Sequence, residues 1–181
     1  SQADVNFSWK EFQAKINNEL VANVGNFIHR TLTFIWKNFE GKVPKEEGWE
    51  KERIVEEIRK IPREVEREME TLHFDRALRR ILDFSSKLNS FFQSQEPWKT
   101  RSKKCLFICA NALRSLAILL EPFIPFSAEK LWSLLNLEGN VHEQEWDSAS
   151  EFLIEEGHKI KKPEVLFRKI EDSEIEAQVK K

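Results

Sequence analysis

From Phe12 to Phe39 the residues Phe12, Ile16, Leu20, Val24, Phe27, Ile28, Leu32, Ile35 and Phe39 recur three or four positions apart. That period belongs to one face of an α-helix, whereas a half-buried strand alternates every second residue. The same stretch holds a single glycine, Gly25, and no proline. Ser8 followed by Glu11, with apolar Phe7 just before them, has the form of a capping box, so the pattern predicts a long helix over roughly residues 8 to 39. Other helices are needed to cover so long an apolar stripe. The whole chain of 181 residues has only 5 Gly and 6 Pro, with 40% hydrophobic and 33% charged residues, which suits amphipathic helices better than a turn-rich β fold.

The breaks that follow divide the rest. Gly41, Pro44 and Gly48 precede a charged segment, Trp49 to Lys60, in which Ile54, Ile58 and Ile61 keep a helical beat until Pro62 interrupts or kinks it. A charged helix runs on from Arg63 to Leu72. Asp75 is placed to cap another, carrying Leu78, Ile81, Leu82, Leu88 and Phe91 and ending near Ser94. Lys99 to Leu120 is apolar almost all round, as a central helix must be, and Pro122 and Pro125 stop it. Ser127 would cap a last short helix with Leu131, Trp132, Leu134 and Leu135, closed by Gly139. The fold expected is all-α: a bundle of about five or six helices over residues 1–139, then an irregular polar tail, 140–181, that packs back on the bundle and over a neighbouring domain, or leads to another domain.

Several functions are excluded at this stage. No Gly-rich phosphate loop, His-Glu-x-x-His helix, Gly-x-Ser-x-Gly elbow or Cys-x-x-Cys is present. The acidic residues Glu64, Glu66, Glu68 and Glu70 read as a solvated, ion-paired face, and His29, His73, His142 and His158 share no spacing. Cys105 and Cys109, four apart in an apolar helix, read as buried small hydrophobes, because two thiols fall short of the four ligands of a structural zinc site. No catalytic and no metal site is expected. No apolar run reaches the roughly 18 residues of a membrane span, and no basic-then-apolar leader opens the sequence, so a soluble, cytoplasmic chain is expected. The abundance of Glu and Lys follows the hyperthermophile trend. With a formal net charge of -2, any attraction to nucleic acid must be local.

Two constellations supply such locality. Asn23, Asn26 and Arg30 are three and four residues apart, so a regular helix projects them from one strip beside the apolar face. Asn donates and accepts while Arg only donates, a combination suited to a base edge with mixed groups. The second is Gln95-Glu96-Pro97-Trp98, followed by Lys99, Arg101, Lys103 and Lys104. Pro97 stiffens the loop and presents the Trp98 indole at a helix entry, where a base can stack, and the four basic residues can attract phosphates. Taken singly, each has an ordinary alternative: a polar helix border, and a tryptophan capping the core.

Their order along the chain resembles the anticodon-binding domain of methionyl-tRNA synthetase. The resemblance runs through Asn18-Glu19-Leu20-Val21-Ala22-Asn23-Val24-Gly25-Asn26-Phe27-Ile28-His29-Arg30, Asn89-Ser90-Phe91-Phe92 and Pro97-Trp98. It continues in Leu120-Glu121-Pro122-Phe123-Ile124-Pro125-Phe126-Ser127-Ala128-Glu129-Lys130-Leu131-Trp132, in Gly157-His158-Lys159-Ile160, and in Leu166-Phe167-Arg168-Lys169-Ile170. It implies that Trp98 stacks on the wobble cytosine of a CAU anticodon while Asn26 and Arg30 address base edges. Asn23 matches the motif and can serve packing, and Pro97 aims the Trp. The partners implied are the anticodon stem-loop of tRNA(Met) and the catalytic domain of the same polypeptide, with a further tRNA-binding or dimerisation domain left open by the charged end, Glu171 to Lys181. The family's His-Ile-Gly-His and Lys-Met-Ser-Lys-Ser signatures are absent. ATP, magnesium and any structural zinc therefore belong to the parent enzyme, and this chain alone is expected to form no aminoacyl-adenylate.

The anticodon domains of leucyl-, isoleucyl-, valyl- and cysteinyl-tRNA synthetases share the bundle, but Trp98 after Pro97 with Asn26 and Arg30 favours methionine. A helical module that docks a partner helix on its Trp and Phe residues is the reading from another class, and it predicts little salt dependence.

Overall fold

The computed structural model describes residues 2–164. Within them, regular structure is helical apart from one antiparallel bridge between Lys42 and Lys159. Helices α1 (Gln2–Glu19) and α2 (Asn26–Asn38) are joined by a π-helical turn, Leu20–Gly25, into one rod. Then come α3 (Arg53–Glu70), α4 (Phe74–Gln95), the single turn α5 (Pro97–Thr100), α6 (Lys103–Leu120) and α7 (Pro125–Leu134). Counting the rod once, that is five long helices and a one-turn helix: the expected all-α bundle.

The apolar face of the rod is buried as its spacing requires, with Ile16, Leu20, Val24, Phe27, Ile28, Leu32 and Ile35 nearly inaccessible. Every residue of α6 from Cys105 to Leu120 is buried, so α6 is the axis around which the others pack. Helix α3 lies along α4 and also meets the tail turn Trp146–Ser150.

Several local expectations are corrected. The first helix is already formed at Gln2, so Ser8 does not begin it: a capping-box pattern can occur inside a helix whose first turn lies earlier. Pro62 does not end its helix, because α3 continues through it. An interior proline costs roughly 3 kcal/mol, and here it is offset by burial of Pro62, Ile58, Ile61 and Val65 in the bundle. Asp75 sits in the first turn of α4 rather than at its cap, which His73 occupies, and Ser127 lies inside α7, which starts at Pro125 with its preset φ. The stretch 99–120 is divided, since Arg101 turns left-handed (φ 53°) and Ser102 caps α6 by accepting from Cys105 N at 3.1 Å.

The tail returns along the bundle as far as it is described. His158 O accepts from Val43 N at 2.9 Å, and Gly157 N and Ile160 N donate to Val43 O and Gly41 O, each at 2.8 Å. From α6, Asn111 Nδ2 donates to Ile154 O at 3.2 Å and its Oδ1 accepts from Ile154 N at 2.9 Å. Arg114 donates to Ser148 O at 2.6 Å and Ser148 Oγ at 3.1 Å, and Ser115 Oγ donates to Ala149 O. Burial pushes the Arg114 guanidinium below its ordinary value. The segments Leu166–Ile170 and Glu171–Lys181 lie outside the described residues.

Candidate nucleic-acid interface

The loop that carries Trp98 is set by backbone. Glu96 closes α4 in the left-handed region (φ 45°), outside the right-handed helical region that the proline after it disfavours. Buried Pro97 opens α5 at its first position, where a missing N–H costs nothing. Glu96 O then accepts from Lys99 N at 2.8 Å and Thr100 N at 3.0 Å, and Arg101 N donates to Pro97 O at 2.8 Å. On this frame Trp98 stays 46% exposed, so it is no core cap.

Trp98 has a floor and a neighbour whose meeting the sequence did not show. Its ring lies 6.4 Å from the ring of Phe92, tilted by 37°, and Phe92 is itself buried at the end of α4. The guanidinium of Arg30 lies 4.4 Å from the centroid of the same Phe92 ring and donates through Nη2 to Gln93 Oε1 at 2.9 Å. A cation held over a ring and bonded to an amide oxygen has less rotamer freedom left to lose on binding. Arg30 and Trp98 thus share Phe92 as their support, across the join of α2 and α5.

Asn26 opens α2 and is exposed, with no side-chain partner among the described residues. Asn23 is half-buried within the π turn, and there its backbone is engaged: Asn23 O accepts from Asn89 Nδ2 at 2.8 Å. One step earlier, Glu19 is held by Arg79 of α4 through two bonds, the second 2.9 Å from Nη2 to Oε1. The Arg79 hydrogen bond is also the main reason the Glu19 carboxyl is held below its usual range.

The four basic residues separate into two kinds. Arg101 donates to Asn38 O at 2.8 Å and lies over Phe39, and Lys104 is paired with Glu52 at 3.0 Å, which raises its pKa. Both are tied to the bundle. Lys99 and Lys103 are exposed, and Lys99 only brushes Glu96 at 3.5 Å on the surface. Asn89 and Phe92 entered the sequence reading only within a matching stretch, with no role assigned, and Gln93 did not enter it. Their signal was their spacing, since positions 89, 92 and 93 share one face of α4 just before the Pro-Trp pair.

Comparison with known proteins finds family matches over most of the chain. The anticodon binding domain of methionyl tRNA ligase, as a family model, matches residues 43–181, and a model of class I tRNA synthetases (M) matches residues 1–32. The methionine–tRNA ligase of Methanopyrus kandleri is 38% identical over 179 residues, covering 96% of this chain and 26% of that protein. That of Phocaeicola vulgatus is 40% identical over 188 residues, covering 98% of this chain and 27% of its own. The chain therefore spans about a quarter of the length of these relatives. In fold it matches the apo Mycobacterium tuberculosis methionyl-tRNA synthetase with a TM-score of 0.74 at 23% identity, over 87% of this chain and 34% of that one.

Proposed function

We propose that this chain, which belongs to the methionyl-tRNA ligase family and contains that family's anticodon-binding domain, reads the CAU anticodon of tRNA(Met) with the edge formed by Asn26, Arg30 and Trp98. The observation that carries the reading is the half-exposed Trp98 indole standing beside an Arg30 guanidinium already fixed on Phe92 and Gln93. The ring offers its face to the wobble base. Arg30 directs its remaining N–H groups at acceptor atoms of a base edge, and Asn26 supplies both a donor and an acceptor. Lys99 and Lys103 attract the phosphates of the stem-loop without reading sequence.

The chemistry of charging belongs to the rest of the parent ligase, where we place ATP, magnesium and any zinc. Among the described residues no group of three or more His, Cys, Asp or Glu is arranged to hold a metal ion, and Cys105 and Cys109 are buried with their sulfurs 4.0 Å apart. Burial raises the Cys109 thiol well above its usual range, as fits a packing residue. Among the described residues no helix is long and apolar enough to cross a membrane, and we assign the parent to the cytoplasm, with the catalytic domain as its neighbour in the same polypeptide.

The decisive measurement is binding of anticodon stem-loops that differ only in the anticodon, over a salt series. CAU is expected to bind tightest, with affinity falling steeply as salt rises. Equal binding of all anticodons, or an affinity indifferent to salt, would remove the reading. Methionine-dependent exchange of pyrophosphate into ATP by this chain alone would show that chemistry resides here after all.

A further inference from the structure

We propose that Asn89 is a positioning residue that locks the register of the π turn and thereby aims Asn26 and Arg30; the proposal rests on the reading of that edge as the anticodon site. A π turn fits one more residue into each hydrogen-bonded loop than an α-helix does, and such turns are uncommon and short. One persists where something outside the helix holds it. The turn Leu20–Gly25 sits immediately before Asn26, so whatever fixes its winding also fixes the direction in which α2 presents its first residues. Since successive helical residues point about 100° apart, a slip of one residue turns Asn26 and Arg30 about 100° from their present directions.

The external hold is on α4. Asn89 Nδ2 donates to Asn23 O at 2.8 Å, and the same carbonyl accepts from Asn26 N, so the acceptor that the wider turn leaves open is used twice. Asn89 lies on the face that also carries Phe92 and Gln93, the two residues that hold Arg30. One face of α4 therefore fixes both the winding of the rod and the direction of its arginine.

A second observation separates this role from simple packing. The other end of the amide, Asn89 Oδ1, is buried and has no hydrogen-bond partner. A leucine of similar volume would fill the place without stranding an acceptor, so the amide is poorly suited to stability alone and well suited to donating to one carbonyl. Ser85, one turn earlier on α4, is also buried with an unpartnered hydroxyl, and it supplies a matched control.

The test compares the parent chain with Asn89→Leu and Ser85→Ala. Two readouts are taken: affinity for CAU and non-CAU stem-loops, and backbone Cα chemical shifts with amide exchange over residues 20–26. Asn89→Leu is expected to fold, to shift the resonances of the π turn, and to lose roughly tenfold in CAU affinity, the scale of a mispositioned hydrogen-bonding group. Ser85→Ala is expected to match the parent in both. Parent-like affinity and parent-like shifts in Asn89→Leu would overturn the proposal. Should that variant fail to fold, Asn89→Asp decides, because it keeps the shape and removes the donor; parent-like CAU affinity there, or loss of folding in both variants, assigns Asn89 to the core. A parent that binds every anticodon alike would refute the anticodon reading itself, while the chemical shifts would still report on the register lock.

Discussion

The tail and the Trp98 edge are both irregular, polar and close to a proline, yet the bundle treats them in opposite ways. Along the tail, α6 spends its polar side chains inward: Asn111, Arg114 and Ser115 are all buried and all bonded to tail residues 148–154. At the Trp98 edge the polar and aromatic groups are supported from beneath and left open above, with Asn26 exposed and Trp98 46% exposed. Satisfied buried polar groups hold one arrangement of a chain, and supported but unsatisfied exposed ones are free to meet a ligand. On the proposed reading the tail contacts serve stability and the edge serves recognition, and each half of that proposal can be attacked separately.

The largest effect is expected on the tail side. Asn111→Ala strands Ile154 N and O in the interior and should cost about 2 to 4 kcal/mol of folding stability in denaturant titration, while the folded fraction binds the CAU stem-loop like the parent. A change in anticodon preference without a change in stability would reverse the division. Next comes Trp98→Ala, which should cost roughly 1 to 3 kcal/mol of stem-loop affinity and little stability, with Trp98→Phe in between. If Trp98→Ala unfolds, the ring belongs to the core. If it stays folded and binds like the parent, stacking is excluded. Arg30→Ala and Asn26→Ala are expected to narrow the gap between CAU and other anticodons by about 1 to 2 kcal/mol, since edge contacts discriminate where stacking does not.

Sequence made the second region more legible than the first, for a physical reason. Pro97 and Trp98 owe their presentation to neighbours within a few residues, and Asn26 and Arg30 share one strip of a helix by their spacing, so local rules could single them out without showing what holds them. The helix axis α6 was also plain, because a segment that is apolar all round can only be central. What spacing could not reach were contacts between distant segments. Asn111 meets Ile154 43 positions away, and Arg30 meets Gln93 63 positions away. The π turn was hidden as well, since Leu20, Val24 and Phe27 fit a regular helix on paper, and a winding change held by Asn89 leaves no trace in apolar spacing. Pro62 misled for the related reason that tertiary burial outweighed a local penalty.

The basic cluster gives a finer cut within the proposed recognition region. Neutralising Lys99 or Lys103 should weaken all anticodons alike and flatten the dependence of log affinity on log salt, by about one unit or less for each phosphate that is no longer neutralised. Lys104→Ala should leave that slope nearly unchanged, because its ammonium is already committed to Glu52. A slope that responds to Lys104 and ignores Lys103 would show that the bundle pair opens when RNA arrives.

The smallest effect is expected at His142, and it is a test by pH. Nδ1 of His142 lies 2.9 Å from Glu121 at the end of α6, and Nε2 lies 3.4 Å from Glu129 on α7, so the ring ties the start of the tail to the bundle. The Glu121 hydrogen bond first, and Glu129 after it, raise the ring above the ordinary histidine value of 6.5. The folded chain therefore binds this proton more readily than the unfolded chain, and the stabilisation is fully present below about pH 6.5 and lost as pH rises through the raised value. The ring is partly exposed, so screening keeps the gain well under about 1 kcal/mol. Stability measured against His142→Gln should thus differ most near pH 6 and converge as pH rises through the raised value. Stem-loop affinity should be the same in both at either pH, since the Trp98 edge shares no bond with His142. A pH effect of the opposite sign would mean that the ring is held neutral, and a pH-dependent anticodon preference would mean that the two regions are coupled after all.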